Sequence, residues 1–240
     1  QVAALGLPVR LYYRGEVMRY QEERAGRQRE FHQLGAEILD HPEADGEARE
    51  AEALERFLAL FQVAERRRRV VVLGFAGALD RLLLDAAGEL DTADLVDAIG
   101  RRERRHARAA HPALLDIVER GFPERPADLG DAVAARLVRL RALRDRLAGQ
   151  FPDIDLRIDL AEFADQVLAP DLLDRIGARA YYDGLVFRAF AGRAGESIGR
   201  GGRYDRLFRD LGAEVTAVGF TFSLDRLLDR EATDDGENDR

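Results

Sequence analysis

The chain has 240 residues, 46% of them hydrophobic and 34% charged, and a net charge of −8, the composition of a soluble globular protein. It has no cysteine, which excludes disulfides and thiolate metal sites, and no lysine, so every permanent side-chain cation is an arginine. The acidic balance argues against broad binding to nucleic acid. No apolar run approaches the roughly 20 residues that span a bilayer, so a cytoplasmic protein is expected, with neither nucleic acid nor membrane as a partner.

The chain opens at Gln1 in QVAALGLPVRLYYRG, which reads as a helix end running into a strand, and so as a start inside a domain. VRLYYRGEVMRY is rich in β-branched and aromatic residues and predicts a strand with Gly15 at a bend. QEERAGRQR is a polar loop. EFHQLGAEIL alternates, with Phe31, Gln33 and Gly35 on one face and His32, Leu34 and Ala36 on the other, so the two strands form a long hairpin with a charged tip. Glu47 to Arg66 has helical spacing at Ala51, Leu54, Leu58 and Phe61. The four arginines that follow read as its solvated end, favourable near the carbonyl terminus, before an apolar strand from Val70 to Phe75.

Residues 76–150 are expected to be helical throughout, with Asp91 or Thr92 as a cap, Pro112 at a helix start, and Leu137, Leu140, Leu143 and Leu147 as a packing stripe. From Ile154 the period changes. IDLRIDLAEF, YYDGLVFRAFAG and VTAVGFTFSL predict three strands, and GGRYDRLFRDLG a glycine turn entering a helix. The tail at 230–240 is acidic and expected to be disordered, leaving 1–229 as one unit. This order predicts an α+β fold, an antiparallel sheet flanked by helices with a helical block at about 76–150.

Of the four histidines, His106 and His111 are five apart without a third ligand, and His32 and His41 stand elsewhere, so no metal is expected. No nucleophile elbow, Walker sequence or dinucleotide glycine pattern occurs, and no cofactor is expected. What remains is a polar set on strands that should be apolar: Arg19, Gln33, Glu37, Tyr181, Tyr182, Arg203, Asp205 and Arg226. Such groups are costly to bury unless paired or bound to a ligand. Gln33 and Glu37, four apart on a strand, share a face. Glu37 can accept hydrogen bonds from a cationic or N–H-bearing ligand, and Arg19 can hold a carboxylate or phosphate. Internal salt bridging across the sheet accounts for the pattern equally well.

At these residues the chain resembles a family. YYRGEVMRYQEERAGRQREFHQLGAE resembles motif 2 of class II aminoacyl-tRNA synthetases in the histidyl version; YYDGLVF and GRGGRYDRL resemble the two histidyl-specific signatures, and AVGFTFSLDRLL resembles motif 3. The resemblance implies a class II catalytic-core fold that is usually dimeric, with motif 1 expected before Gln1. It also implies that Arg19, Gln33, Glu37 and Tyr181 contact histidine, with Tyr182, Gly202 and Arg203 around the same slot.

The family has two branches: histidyl-tRNA synthetase, and the regulatory subunit of ATP phosphoribosyltransferase, which lacks ligase activity. Three features favour the second. An acidic tail follows Leu228 where a synthetase is expected to continue into an anticodon-binding domain. Gly177 stands in GARAYY where synthetases have the catalytic arginine of Arg-Gly-Leu-Asp-Tyr-Tyr, and Arg175 and Arg179 lie two residues to either side. Gln21 replaces the ATP-contacting glutamate of motif 2, and Arg188 departs from both branches. The resemblance thus implies a non-catalytic partner of the short-form ATP phosphoribosyltransferase catalytic subunit in the first step of histidine biosynthesis, with histidine as effector, as a homodimer within a hetero-oligomer. The alternative is a histidyl-tRNA synthetase core.

Overall fold

The computed structural model describes residues 6–18, 30–65, 68–86, 91–176, 181–191 and 197–228. Seven strands form one sheet in the order β1-β2-β7-β6-β5-β3-β4. They are β1 Val9–Met18, β2 Glu30–Asp40, β3 Arg69–Phe75, β4 Ile154–Ile158, β5 Leu185–Ala191, β6 Gly199–Arg203 and β7 Thr216–Ser223. The expected hairpin is β1 against β2, antiparallel from Val9↔Leu39 to Met18↔Glu30. β1 runs straight through Gly15, which pairs with Gln33 instead of making a bend. The charged tip of the hairpin lies outside the described residues. β1 is the outer strand, with Tyr12 86% and Met18 76% exposed.

Every neighbouring pair is antiparallel except β3 and β4, which run parallel from Arg69↔Ile154 to Leu73↔Ile158. The expected antiparallel sheet is thus present, with one parallel pair at its β4 edge. The reason is the helical block between those two strands: a long helical crossover brings the chain back to the same end of the sheet. The block comprises α2 Asp80–Ala86, α3 Thr92–Gly100, α4 Arg104–Ala110, α5 Pro112–Arg120 and α6 Asp131–Gln150, with a turn of 3-10 helix at Pro126–Leu129. Asp91 caps α3 by accepting from Asp94 N–H at 3.0 Å. Pro112 opens α5, and the His111 ring caps it by accepting from Ala113 N–H at 3.0 Å. Leu137, Leu140 and Leu147 of α6 are buried, and Leu143 packs at their edge.

The long helix α1, Gly46–Ala64, lies on one face of the sheet. Asp45 starts it by accepting from the backbone N–H groups of Glu47 and Ala48 at 3.0 and 3.2 Å. Its apolar stripe of Leu54, Phe57, Leu58 and Phe61 is fully buried. Phe57 is the hub of an aromatic cluster, stacked on Phe222 at 4.4 Å and touching Phe187 and Phe220 at 4.8 and 5.5 Å. The helix stops at Ala64, before the arginine run, of which Arg66 and Arg67 lie outside the described residues. The β-branched Val70–Val72 favour extended backbone, and Arg69 already belongs to β3, its guanidinium donating to the Gln62 carbonyl at 2.9 Å.

The glycine-rich stretch at 199–203 is also not a turn. It is β6, an interior strand between β5 and β7. A Cβ at Gly201 would meet the Phe187 ring at 2.4 Å and the Gly219 carbonyl at 2.5 Å; one at Gly202 would meet the Tyr182 ring at 2.6 Å. Neighbouring aromatic rings fill the places where β6 has no side chains, which is how a strand this poor in side chains holds a central position. Short helices follow: α7 Pro170–Ile176 before β5, α8 Asp205–Asp210 after β6, and α9 Leu224–Leu228 after β7.

The central strands are two-faced. Phe187 of β5, Gly199 and Gly201 of β6, and Phe220 and Phe222 of β7 meet the α1 side. Val186 and Arg188, Arg200 and Gly202, and Gly219 and Thr221 point the other way, as the two-residue period requires.

Candidate functional site

The face of the sheet opposite α1 carries a cavity of about 470 Å³ over β2, β7, β6 and β5, on the scale of small-molecule pockets. Gln33 and Glu37 both line it, as their shared parity on β2 predicts. Tyr181 and Tyr182 stand just before β5 and form a wall. Tyr204, just after β6, completes the group. Its hydroxyl donates to Glu37 Oε2, and its ring stacks on Tyr181 at 5.4 Å with 29° between planes. Tyr181 meets Tyr182 edge-on at 4.8 Å. Gln33 Nε2 donates to the Tyr13 hydroxyl at 2.8 Å.

Burial pushes the Glu37 carboxyl above its usual range, and the hydrogen bond from Tyr204 pulls it part of the way back. Burial raises the Tyr204 phenol, and the adjacent Glu37 charge and hydrogen bond raise it further, so this hydroxyl stays a donor. Tyr182 is pushed up to about 12, mainly by burial. The cavity therefore presents a carboxyl with one oxygen engaged by Tyr204, walled by aromatic rings that remain neutral. Such a site suits a flat ligand with an N–H donor.

Glu37 lies flat on β7. A Cβ at Gly219 would fall 1.6 Å from Glu37 Oε2 and 2.7 Å from the Ala36 carbonyl. Gly219→Ala is therefore expected to displace the carboxyl and to destabilise the fold by about 1–3 kcal/mol, the usual cost of overpacking. Urea unfolding followed by circular dichroism checks this, and an unchanged midpoint would show that the strand pair absorbs the methyl.

The remaining predicted residues divide. Gly202 sits beneath the Tyr182 ring on the pocket face, as part of a strand and not of a turn. Arg203 is on the opposite face. It grips Asp205, with Nε to Oδ2 at 2.8 Å, lies 3.9 Å from Glu50 Oε1, and covers Gly46 and Gly184. The strand period separates it from Glu37, and Arg200 takes the place in the cavity. Asp205 is absorbed by Arg203 and by the Ala217 N–H at 2.8 Å. Arg226 donates to the Ser197 carbonyl at 2.6 Å. Arg19, Gln21, Gly177 and Arg179 lie outside the described residues. Arg175 is in the last turn of α7. Arg188 lines the cavity and pairs with Glu162 at 2.9 Å. Tyr204 and Arg200 were not among the sequence candidates, although alternation along Gly199–Arg203 would have put Arg200 opposite Arg203. His106 pairs with Glu103 at 2.7 Å and His111 caps a helix. Among the described residues no helix is long and apolar enough to cross a membrane.

A family model described as histidyl-tRNA synthetase matches residues 3–227. The chain is 28% identical over 244 residues to the ATP phosphoribosyltransferase regulatory subunit of Bacillus subtilis, covering 93% of this chain and 58% of that protein. It is 31% identical over 238 residues to the histidine–tRNA ligase of Pyrobaculum neutrophilum, covering 92% of this chain and 53% of that one. The chain thus spans little more than half the length of these relatives. Its fold matches a chain in the ATP phosphoribosyl transferase (HisG:HisZ) complex from Thermotoga maritima with a TM-score of 0.63 at 18% identity, over 91% of this chain and 74% of that one.

Proposed function

We propose, for a chain that belongs to the histidyl-tRNA synthetase family, a regulatory role: a histidine-binding, non-catalytic subunit of ATP phosphoribosyltransferase. The observation that carries this reading is the Glu37–Tyr204 pair on the floor of a cavity walled by Tyr181 and Tyr182. An imidazole packing against this aromatic wall would donate its N–H to Glu37, while Gln33 lines the same cavity. The motif resemblance adds Arg19 to this histidine site. The same resemblance puts Gly177 where a synthetase keeps the arginine that supports attack on ATP, and losing a cation that stabilises transition-state charge typically costs several kcal/mol. A pocket that holds the amino acid and lacks an activating group fits a sensor.

The partner in this reading is the short-form catalytic subunit, supported by the name of the Bacillus relative and by the composition of the Thermotoga complex. Histidine bound preferentially to one conformation would shift the partner's activity, a coupling typically of about 1–3 kcal/mol. Two measurements test this. Calorimetric titration with histidine should give saturable binding at one site per chain. Adding the chain to a short-form catalytic subunit should change its rate and make that rate sensitive to histidine. Absence of both effects overturns the proposal.

The second reading, a histidyl-tRNA synthetase core, is favoured by the Pyrobaculum relative, which is as similar as the regulatory one. Histidine-dependent exchange between ATP and pyrophosphate decides between them. Robust exchange supports the ligase, and its absence alongside histidine binding supports the sensor.

A further inference from the structure

We infer that Arg200 seats the negatively charged group of the pocket's ligand and so makes the cavity selective for an amino acid over its decarboxylated amine. The inference rests on the histidine reading of the same cavity and goes beyond it, because nothing in the motif resemblance assigns Arg200 a role.

The strand register places it. Glu37, Gly219, Gly202 and Val186 form one row across β2, β7, β6 and β5. The next row on the same face is Gly35, Thr221, Arg200 and Arg188. Arg200 is therefore two strands across and two residues along from Glu37, about 12 Å between backbones by standard strand spacing. Both side chains stand on the same face of the sheet, so a ligand lying over β7 and β6 meets the Glu37 carboxyl at one end and the Arg200 guanidinium at the other. The ligand's ring then sits at the Glu37 end among the tyrosines, and its carboxylate at the Arg200 end.

Charge makes the same point. Arg200 and Arg188 are directly opposed across β5 and β6, an arrangement that like charges disfavour. Arg188 is compensated: it pairs with Glu162 at 2.9 Å, lies 3.9 Å from Asp165, and rests over the Phe163 ring. Arg200 has no hydrogen-bond or ion-pair partner among the described residues, and it is exposed within the cavity lining. Its field reaches both Tyr181 and Tyr182 and opposes the rise in their phenols. Of the two arginines that line the cavity among the described residues, Arg200 is the one still open to an anion, and an arriving carboxylate relieves its repulsion with Arg188. The planar guanidinium fork matches a carboxylate bidentately.

The test compares histidine with histamine, which keeps the imidazole and loses the carboxylate, by calorimetry on the wild-type chain, Arg200→Gln and Arg200→Lys. The wild-type chain should prefer histidine. Arg200→Gln should weaken histidine about tenfold or more, the scale of a charge-assisted hydrogen bond, and leave histamine unchanged or slightly tighter. Arg200→Lys should retain part of the preference. Unchanged histamine binding reports that the pocket is intact, so a folding defect cannot imitate the result. If histidine binds and Arg200→Gln leaves its preference over histamine unaltered, the inference about Arg200 is overturned and the histidine pocket stands. If the wild-type chain binds neither ligand, the pocket reading fails and takes this inference with it.

Discussion

Glu37→Gln is expected to weaken histidine binding about 10- to 100-fold, the range of a charge-assisted hydrogen bond, while making the fold more stable at neutral pH. The two effects have one cause. Burial holds the Glu37 carboxyl above its usual range, so the folded chain binds this proton more tightly than the unfolded chain does. Stability tied to the group is therefore fully present below the unfolded value and is lost as pH rises through the folded one. Glutamine is neutral throughout and removes that loss. Unfolding midpoints for the two proteins should nearly coincide at low pH and separate toward neutral pH, with the variant higher. The ligand's imidazole N–H would meanwhile lose its anionic acceptor. A variant that binds histidine normally would move the recognition point away from Glu37. Midpoints that separate toward low pH would show that the carboxyl is stabilised as an anion.

Phe57→Ala is expected to cost about 3–5 kcal/mol, at the high end for a core truncation. Phe57 is fully buried, and its ring meets four others: Phe61, Phe187, Phe220 and Phe222. Two of these are on β7 and one on β5, so the cavity left behind would open between α1 and the two strands and could not close by moving one side chain. Against a total stability of about 5–15 kcal/mol, the variant should unfold in far less urea than wild type. A loss under about 1 kcal/mol would mean that the neighbouring rings collapse into the space, contrary to their packing across separate elements.

The sequence carried Gln33 and Glu37 into the same pocket because one simple period governs β2. It carried α1, α3, α5 and α6 because their apolar stripes, caps and Pro112 act locally. It failed where the deciding interaction was remote. Gly199–Arg203 reads as a turn because glycines disfavour strands, and only the rings of Phe187 and Tyr182, contributed from elsewhere, make a strand of it. That misreading hid the alternation which puts Arg200 in the cavity and Arg203 on the far face. The parallel pairing of β3 and β4 was implicit in the long helical crossover between them, but the strand patterns alone resemble those of the antiparallel pairs. Tyr204 gave no local signal, since its partnership with Glu37 spans 167 residues.

The two-faced strands have a consequence for how occupancy can be read. β5, β6 and β7 carry the aromatic cluster on one side and the cavity on the other, so whatever fills the cavity bears on the same backbone that the cluster holds. A ligand that binds only the folded chain raises apparent stability by about 2.7 kcal/mol at a hundred times its dissociation constant. The melting temperature of the unlabelled protein is therefore a direct gauge of the pocket. A screen of imidazole-bearing and anionic compounds by thermal shift would rank them without a partner subunit or an enzymatic assay.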